Sequence, residues 1–222
     1  MTTRLELLQP KSGWATASPA RLTPPPPHRR GLVLRSLSLI SGWFGRPELP
    51  DLFPVLNIHR GLFLPWLWFA SRLMPFGRLP APVREMLILR TGWNCRCRYE
   101  WGQHVDLATR AGVSDEDIVG ITVGAQAFQD HVKRSLMQAC DDLCRDNVIS
   151  GEAWQGLRCH WDEPCLIEIS MLVGHYRMLA GVINSAGLLL EAPTEASLQA
   201  FYLRIAEAEA AQASSTKLRD AG

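Results

Sequence analysis

From residue 31 onward the apolar residues of this chain recur at intervals near 3.6, with no sustained run of strict alternation. That pattern constrains the fold more than any other feature, because a half-buried strand needs a period of two, whereas a period of 3.6 buries one stripe of a helix. The chain is read as all-α. Its 222 residues suffice for one substantial core, and a single helical domain is expected over residues 31–215. Helices are predicted at about 51–58, 60–74, 80–93, 97–111, 114–122, 127–147, 150–158, 162–187 and 194–212.

Several of these boundaries carry their own signals. Pro80 and Pro82 in "LPAPVREM" suit a helix start, where a missing N–H costs nothing. Gly112 suits a helix C-cap, Ser114 with Asp117 three residues on suits the next N-cap, and Ser150–Gly151 repeats that chemistry. Residues 1–30 end in "TPPPPHRR" and are expected to form a flexible proline-rich arm draped over a neighbouring subunit, with 216–222 a tail. A weak internal echo sets "VREMLILRTGWN" beside "LIEISMLVGHYR", matching Glu85 to Glu168, and would place two similar helices face to face.

Charge narrows the function. Lys and Arg total 23 against 22 Asp and Glu, so the net charge of +1 argues against nucleic acid or an anionic membrane as partner. The N-terminus lacks the pattern of a secretory signal, which points to the cytoplasm and to reduced thiols. The strongest apolar run, "GLFLPWLWFASRLMPFG", is broken by Pro65 and Arg72 and falls short of the roughly 20 residues that span a bilayer. Six cysteines form no C-x-x-C pair, so no metal site is expected. Cys140 and Cys144, one helical turn apart, read as core packing, and Cys95 as inert.

Chemistry concentrates in "REMLILRTGWNCRCRYEWGQH", residues 84–104. In a helix from Cys97, the residues Cys97, Glu100, Trp101 and His104 share one face. A carboxylate one turn from an imidazole makes a tunable acid/base pair, and Trp101 supplies an apolar wall; on an exposed face the same spacing is only a solvated pair. Glu85 precedes the apolar run "MLIL" and needs a partner once buried, either locally in Arg84 or Arg90 or in a functional site. His175, Tyr176 and Arg177 interrupt an otherwise apolar helix, as a hydrogen-bonded core device or as pocket lining. With Trp93, Trp101 and Arg90 they make up the candidate substrate contacts.

The spacing Glu85, Cys97, Glu100, His104 resembles the framework E-x11-C-x2-C-x3-H of the alkylhydroperoxidase D family, within the carboxymuconolactone decarboxylase superfamily, over residues 45–190. One position departs: a glutamate, Glu100, stands where the family has its second cysteine. The resemblance implies an alkylhydroperoxidase D-like helical bundle, homo-oligomers (dimer, trimer or hexamer), and a cavity lined by the Glu85 and Cys97–His104 helices. In the hydroperoxidases the cysteine four residues before the histidine attacks peroxide and its N-terminal partner resolves the product. This chain keeps the partner, Cys97, and lacks the attacker. Cys95 is a poor substitute, because two residues along a helix rotate by about 200°, so Cys95 and Cys97 can pair only in a non-helical turn.

The expectation is therefore a cofactor-free acid/base enzyme of the decarboxylase type, acting on a small unsaturated or cyclic carboxylic acid. His104 or a neutral Glu100 would deliver a proton, Glu85 would hold the relay, and Arg90 or Arg177 would position the substrate carboxylate. The alternatives are a single-cysteine hydroperoxidase using Cys97, and a non-enzymatic helical oligomer that binds through "FLPWLWF".

Overall fold

Pro80 and Pro82 open the helix around which the others are arranged, α5 (Ala81–Asn94), in which every residue from Arg84 to Gly92 is buried. A helix buried all round must be covered on all sides by other elements. The computed structural model describes residues 3–41 and 49–220, with side chains over 3–38 and 49–214. Among these, eleven α-helices and no strand are present. Ahead of α5 come α1 (Arg4–Leu7), α2 (Leu32–Ser41), α3 (Leu52–Leu56) and α4 (Arg60–Leu73). After it come α6 (Arg98–Arg110), α7 (Asp115–Val123), α8 (His131–Asp146), α9 (Gly151–Arg158), α10 (Glu163–Ala186) and α11 (Ala192–Asp220).

α6, α7, α8 and α10 surround α5, while α11 packs on α6 and α9 on α8. Leu87, Leu89, Ile118, Ile121 and Ile169 have no or almost no exposed surface in this core. Each such side chain contributes on the order of 2 kcal/mol by leaving water. Ser114 Oγ accepts from Asp117 N at 3.1 Å, as the capping pattern requires, and Gly112 takes φ +87 just beyond α6. Ser150 starts α9 differently: its backbone N–H donates to Asp142 Oδ2 at 2.9 Å, so the capping oxygen comes from α8.

Three features differ from expectation. α2 lies in a Leu/Ser segment not singled out as helical, and α11 continues to Asp220, through most of the expected tail. The N-terminal arm is docked on its own chain. Thr3 and Glu6 form a reciprocal capping box on α1, Leu8 is fully buried, and Arg4 N donates to Glu209 of α11 at 3.0 Å. Farther on, Ala17 N donates to Asn184 O at 2.8 Å and Arg21 N to Ala186 O at 2.7 Å. These carbonyls lie in the last turn of α10, where Asn184 O has only a long 3.3 Å bond from the capping Gly187 N, so an extended strap can supply further donors without regular structure of its own. Gly187 admits the strap: it takes φ +73, and a Cβ there would lie 2.5 Å from Ala17 O.

α10 is long and apolar enough to cross a membrane by length and composition, but more than half of its apolar stretch is buried within the bundle. It packs directly on α5, the helix it echoes in sequence. The matched glutamates do different work. Glu168 accepts from the backbone N–H groups of Arg78 and Leu79 at 2.8 and 3.1 Å, fixing the chain that leads into α5.

Candidate functional site

α5 and α6 form an antiparallel hairpin whose register decides which side chains meet. Glu85 on α5 lies opposite His104 on α6, and their Oε2 and Nδ1 atoms are 2.7 Å apart. Glu85 is 1% exposed and His104 6%. Arg84 Nε donates to the other Glu85 oxygen at 3.3 Å. One proton is thus shared between Oε2 and Nδ1, which leaves His104 Nε2 as the ring nitrogen able to face a reacting group. The Tyr176 ring stands edge-on to the imidazole at 5.1 Å, and His175 continues the aromatic contact at 5.4 Å.

Sequence spacing pairs His104 with Glu100; the structure pairs it with Glu85 instead. Glu100 points toward the other end of the hairpin, where Gly92 leaves it room: a Cβ on Gly92 would sit 3.3 Å from Glu100 Cβ. Glu100 is buried, and neither of its oxygens makes a hydrogen bond of ordinary geometry. Burial therefore pushes its carboxyl well above the usual range, with the Cys97 thiol opposing and Cys144 adding to that push. Glu100 is held neutral. Cys97 has no exposed surface, and burial, then Glu100, pushes its thiol up as well, which makes it a poor attacking thiolate.

The Cys95–Arg96–Cys97 segment is not helical. Cys95 caps α5, Arg96 takes the left-handed φ of 51°, and Cys97 is the extended N-cap of α6. The rotation that would separate two helical positions therefore does not apply. The arm fastens this turn: Ala15 N donates to Arg96 O at 2.8 Å, and Trp14 packs edge-on to Trp93 at 5.4 Å.

Four candidate substrate contacts are engaged elsewhere in the fold. Arg90 is saturated by Asp141 (Nε at 2.6 Å, Nη2 at 2.9 Å) and by Ile121 O at 2.6 Å, so it ties α5 to α7 and α8. Arg177 is exposed and bonds Leu143 O at 3.0 Å and Asn147 Oδ1 at 2.5 Å, closing the end of α8. Trp101 has no exposed surface and packs between Trp93 at 5.1 Å and Trp14 at 6.2 Å; both Trp93 and Trp101 hold the arm. His175 and Tyr176 are buried and lie beside His104. Glu85, Glu100 and His104 are all buried.

The carboxymuconolactone decarboxylase family profile matches residues 66–139, the stretch holding both helices of this hairpin. Solved structures with the same fold include a peroxidase-related protein from Ralstonia eutropha JMP134, described as an alkylhydroperoxidase AhpD core. It has a TM-score of 0.68 and 16% identity over 80% of this chain and 96% of that one. The family match thus covers a third of the chain, and the shared fold extends over four fifths of it. A peroxidase-related protein from Silicibacter sp. TM1040 gives a TM-score of 0.70 at 14% identity, covering 81% of this chain and 95% of that one. A cysteine-to-alanine variant of the debrominase Bmp8, in complex with 2,3,4-tribromopyrrole, gives 0.67 at 14% identity, covering 83% and 99%. Comparison with curated proteins finds no match.

Within this superfamily fold, two groups lie outside the sequence reading. Trp66 stacks on His175 at 6.1 Å and Phe69 meets it edge-on at 5.4 Å, so α4 lines the far side of the aromatic contact. Cys95, Cys140 and Cys144 gather beside Glu100 and Cys97. The signal for the second group was the matching four-residue spacing of Thr91–Cys95 and Cys140–Cys144, legible only once α5 and α8 are known to be neighbours.

Proposed function

We propose that this protein is a thiol-dependent redox enzyme that reduces a small hydroperoxide or a comparably electrophilic compound. Thiols where the end of α5 meets α8 supply the electrons, and the Glu85–His104 pair moves the proton. The observation that carries this reading is the meeting of the half-buried Cys95 and Cys144 beside the buried Glu100. Glu100, which the thiols adjoin, lies one helical turn, about 6 Å of rise, from His104. The peroxidase-related and debrominase relatives agree with a redox chemistry on this fold.

The test is consumption of cumene hydroperoxide with dithiothreitol as reductant. Turnover above the protein-free rate is expected, and its replacement of His104 by Gln should lower it about 100-fold, as for loss of a general acid/base. Folded protein that consumes no hydroperoxide overturns the reading. A second reading is favoured by one observation: the Glu85–His104–Tyr176 arrangement is complete without any cysteine. It is cofactor-free proton transfer or decarboxylation of a small unsaturated or cyclic carboxylic acid, and its signature is carbon dioxide release that survives replacement of every cysteine by serine.

We also read the protein as a cytoplasmic homo-oligomer. Ile167, Met171 and Met178 form an exposed apolar stripe on α10, and Leu64 and Trp68 are exposed on α4, a surface suited to a second copy of the chain.

A further inference from the structure

We propose that Cys144 and Cys95, facing each other across the α5–α8 seam, form the peroxide-reactive dithiol of this protein, with Cys144 the attacking sulfur and Cys95 the resolving one. The proposal rests on the thiol-redox reading and locates its electrons in a pair outside the Glu85–His104 framework.

The geometry comes from helix register. Leu87, Thr91 and Cys95 are spaced four residues apart along α5, as Cys140 and Cys144 are along α8. The first rung is fixed: Thr91 Oγ1 lies 3.2 Å from Cys140 Sγ, which also points at Leu87 O at 3.7 Å. On the neighbouring face, Arg90 and Asn94 both bind Asp141, at 2.6 and 2.8 Å, which fixes the two helices against sliding. One turn farther along each element brings Cys95 beside Cys144, close enough for each thiol to shift the other.

The surroundings sort the thiols. Cys140 and Cys97 have no exposed surface, whereas Cys95 and Cys144 are half-buried, so only the latter two can meet a reagent from solution. The neighbouring Cys140, Cys95 and Asn94 side chains and the Arg177 guanidinium together pull the Cys144 thiol below the ordinary range. The same contact with Cys144, and then burial, pushes Cys95 up. Of the two, Cys144 is the thiol whose surroundings, with Arg177 close by, favour the thiolate. Arg177, pinned to Leu143 O and Asn147, is a fixed positioning group for that charge.

The chemistry balances with a hydroperoxide as oxidant. Cys144 sulfur attacks the terminal oxygen; an S–O bond forms, the O–O bond breaks, and the alkoxide leaves with a proton as the alcohol. Cys95 sulfur then attacks the Cys144 sulfenic acid; the S–S bond forms and water departs. Two thiols are oxidised by two electrons, and an external dithiol restores them by exchange.

The experiment treats reduced full-length protein with one equivalent of cumene hydroperoxide, followed by non-reducing tryptic mass spectrometry. Cleavage after Arg96 separates Cys95 from Cys97, and fragmentation distinguishes Cys140 from Cys144. A Cys95–Cys144 link with loss of two of the six thiols is expected. In Cys95→Ser, dimedone should trap a sulfenic acid on Cys144. In Cys144→Ser, dithiol-dependent consumption should fall about 100-fold, while Cys97→Ser changes it less than about 3-fold. Circular dichroism checks that each variant is folded, and Cys144→Ala serves as a second replacement. A link or sulfenic acid at Cys97, or six free thiols after excess hydroperoxide, overturns the proposal. A stoichiometric Cys95–Cys144 link without turnover upholds the pair and overturns the enzymatic reading instead.

Discussion

At one end of the α5–α6 hairpin, Glu85 has a partner for each oxygen, His104 Nδ1 at 2.7 Å and Arg84 Nε at 3.3 Å; at the other, the equally buried Glu100 has none. The difference shows how partners, more than depth, decide what a buried carboxyl does. Burial alone costs an ionised carboxyl several kcal/mol. Where an imidazole and a guanidinium share that cost, the carboxyl can exchange a proton with the ring. Where only thiols and the Gly92 backbone stand nearby, it stays protonated and becomes a neutral wall.

The largest expected effect breaks this comparison in half. Glu85→Gln keeps the shape but removes the charge, and it should lower turnover about 100-fold through the loss of acid/base assistance. The Cys95–Cys144 link should still form at stoichiometric hydroperoxide, because its sulfurs lie at the opposite end of the hairpin. If both turnover and the link are lost, the two ends work as one unit and the division of labour fails.

A smaller effect sharpens the other half. Because burial raises the Glu100 carboxyl, the folded state keeps a proton that the unfolded chain releases above its ordinary value of 4.5. The stability is therefore complete below that value and falls as pH rises toward the folded-state value. Glu100→Gln cannot ionise, so its melting temperature should match that of the parent near pH 4 and exceed it by about 5 °C at pH 8. Melting curves across that range provide the check, and a constant difference would mean that Glu100 is ionised and paired.

The contrast between the two ends also explains what the sequence revealed. The helices were legible because apolar spacing, prolines and caps are local, and α5 and α6 fall within a residue or two of expectation. Glu85 and His104 were legible as candidates because their types and spacing carry chemistry; their pairing was not, since it depends on the antiparallel register of two helices. Arg90 and Arg177 looked like substrate ligands because a guanidinium advertises a carboxylate, while the carbonyls and the Asp141 that consume them lie 30 or more residues away. The break between the helices ending near 93 and starting near 97 was legible, but not its shape, because Arg96 at φ 51 is held by a contact from Ala15 that no local pattern encodes.

The same contrast recurs in the imidazoles, where the effect is smallest. His104 carries a carboxylate; His175, one aromatic ring away, is faced by Trp66, Phe69 and Tyr176, and its Nδ1 makes no hydrogen bond. Burial alone lowers His175 to about 4. The unfolded chain takes up a proton near pH 6.5 that the folded protein refuses, so the stability from this ring is complete above 6.5 and is lost as pH falls toward 4. Imidazole proton shifts should show His175 neutral throughout the range in which an ordinary histidine titrates, and His175→Phe should flatten the acid side of the stability curve. A His175 that titrates near 6.5 would place solvent or a hidden acceptor against the ring, and the aromatic contact from Trp66 to His104 would then be a wet passage and not a dry wall.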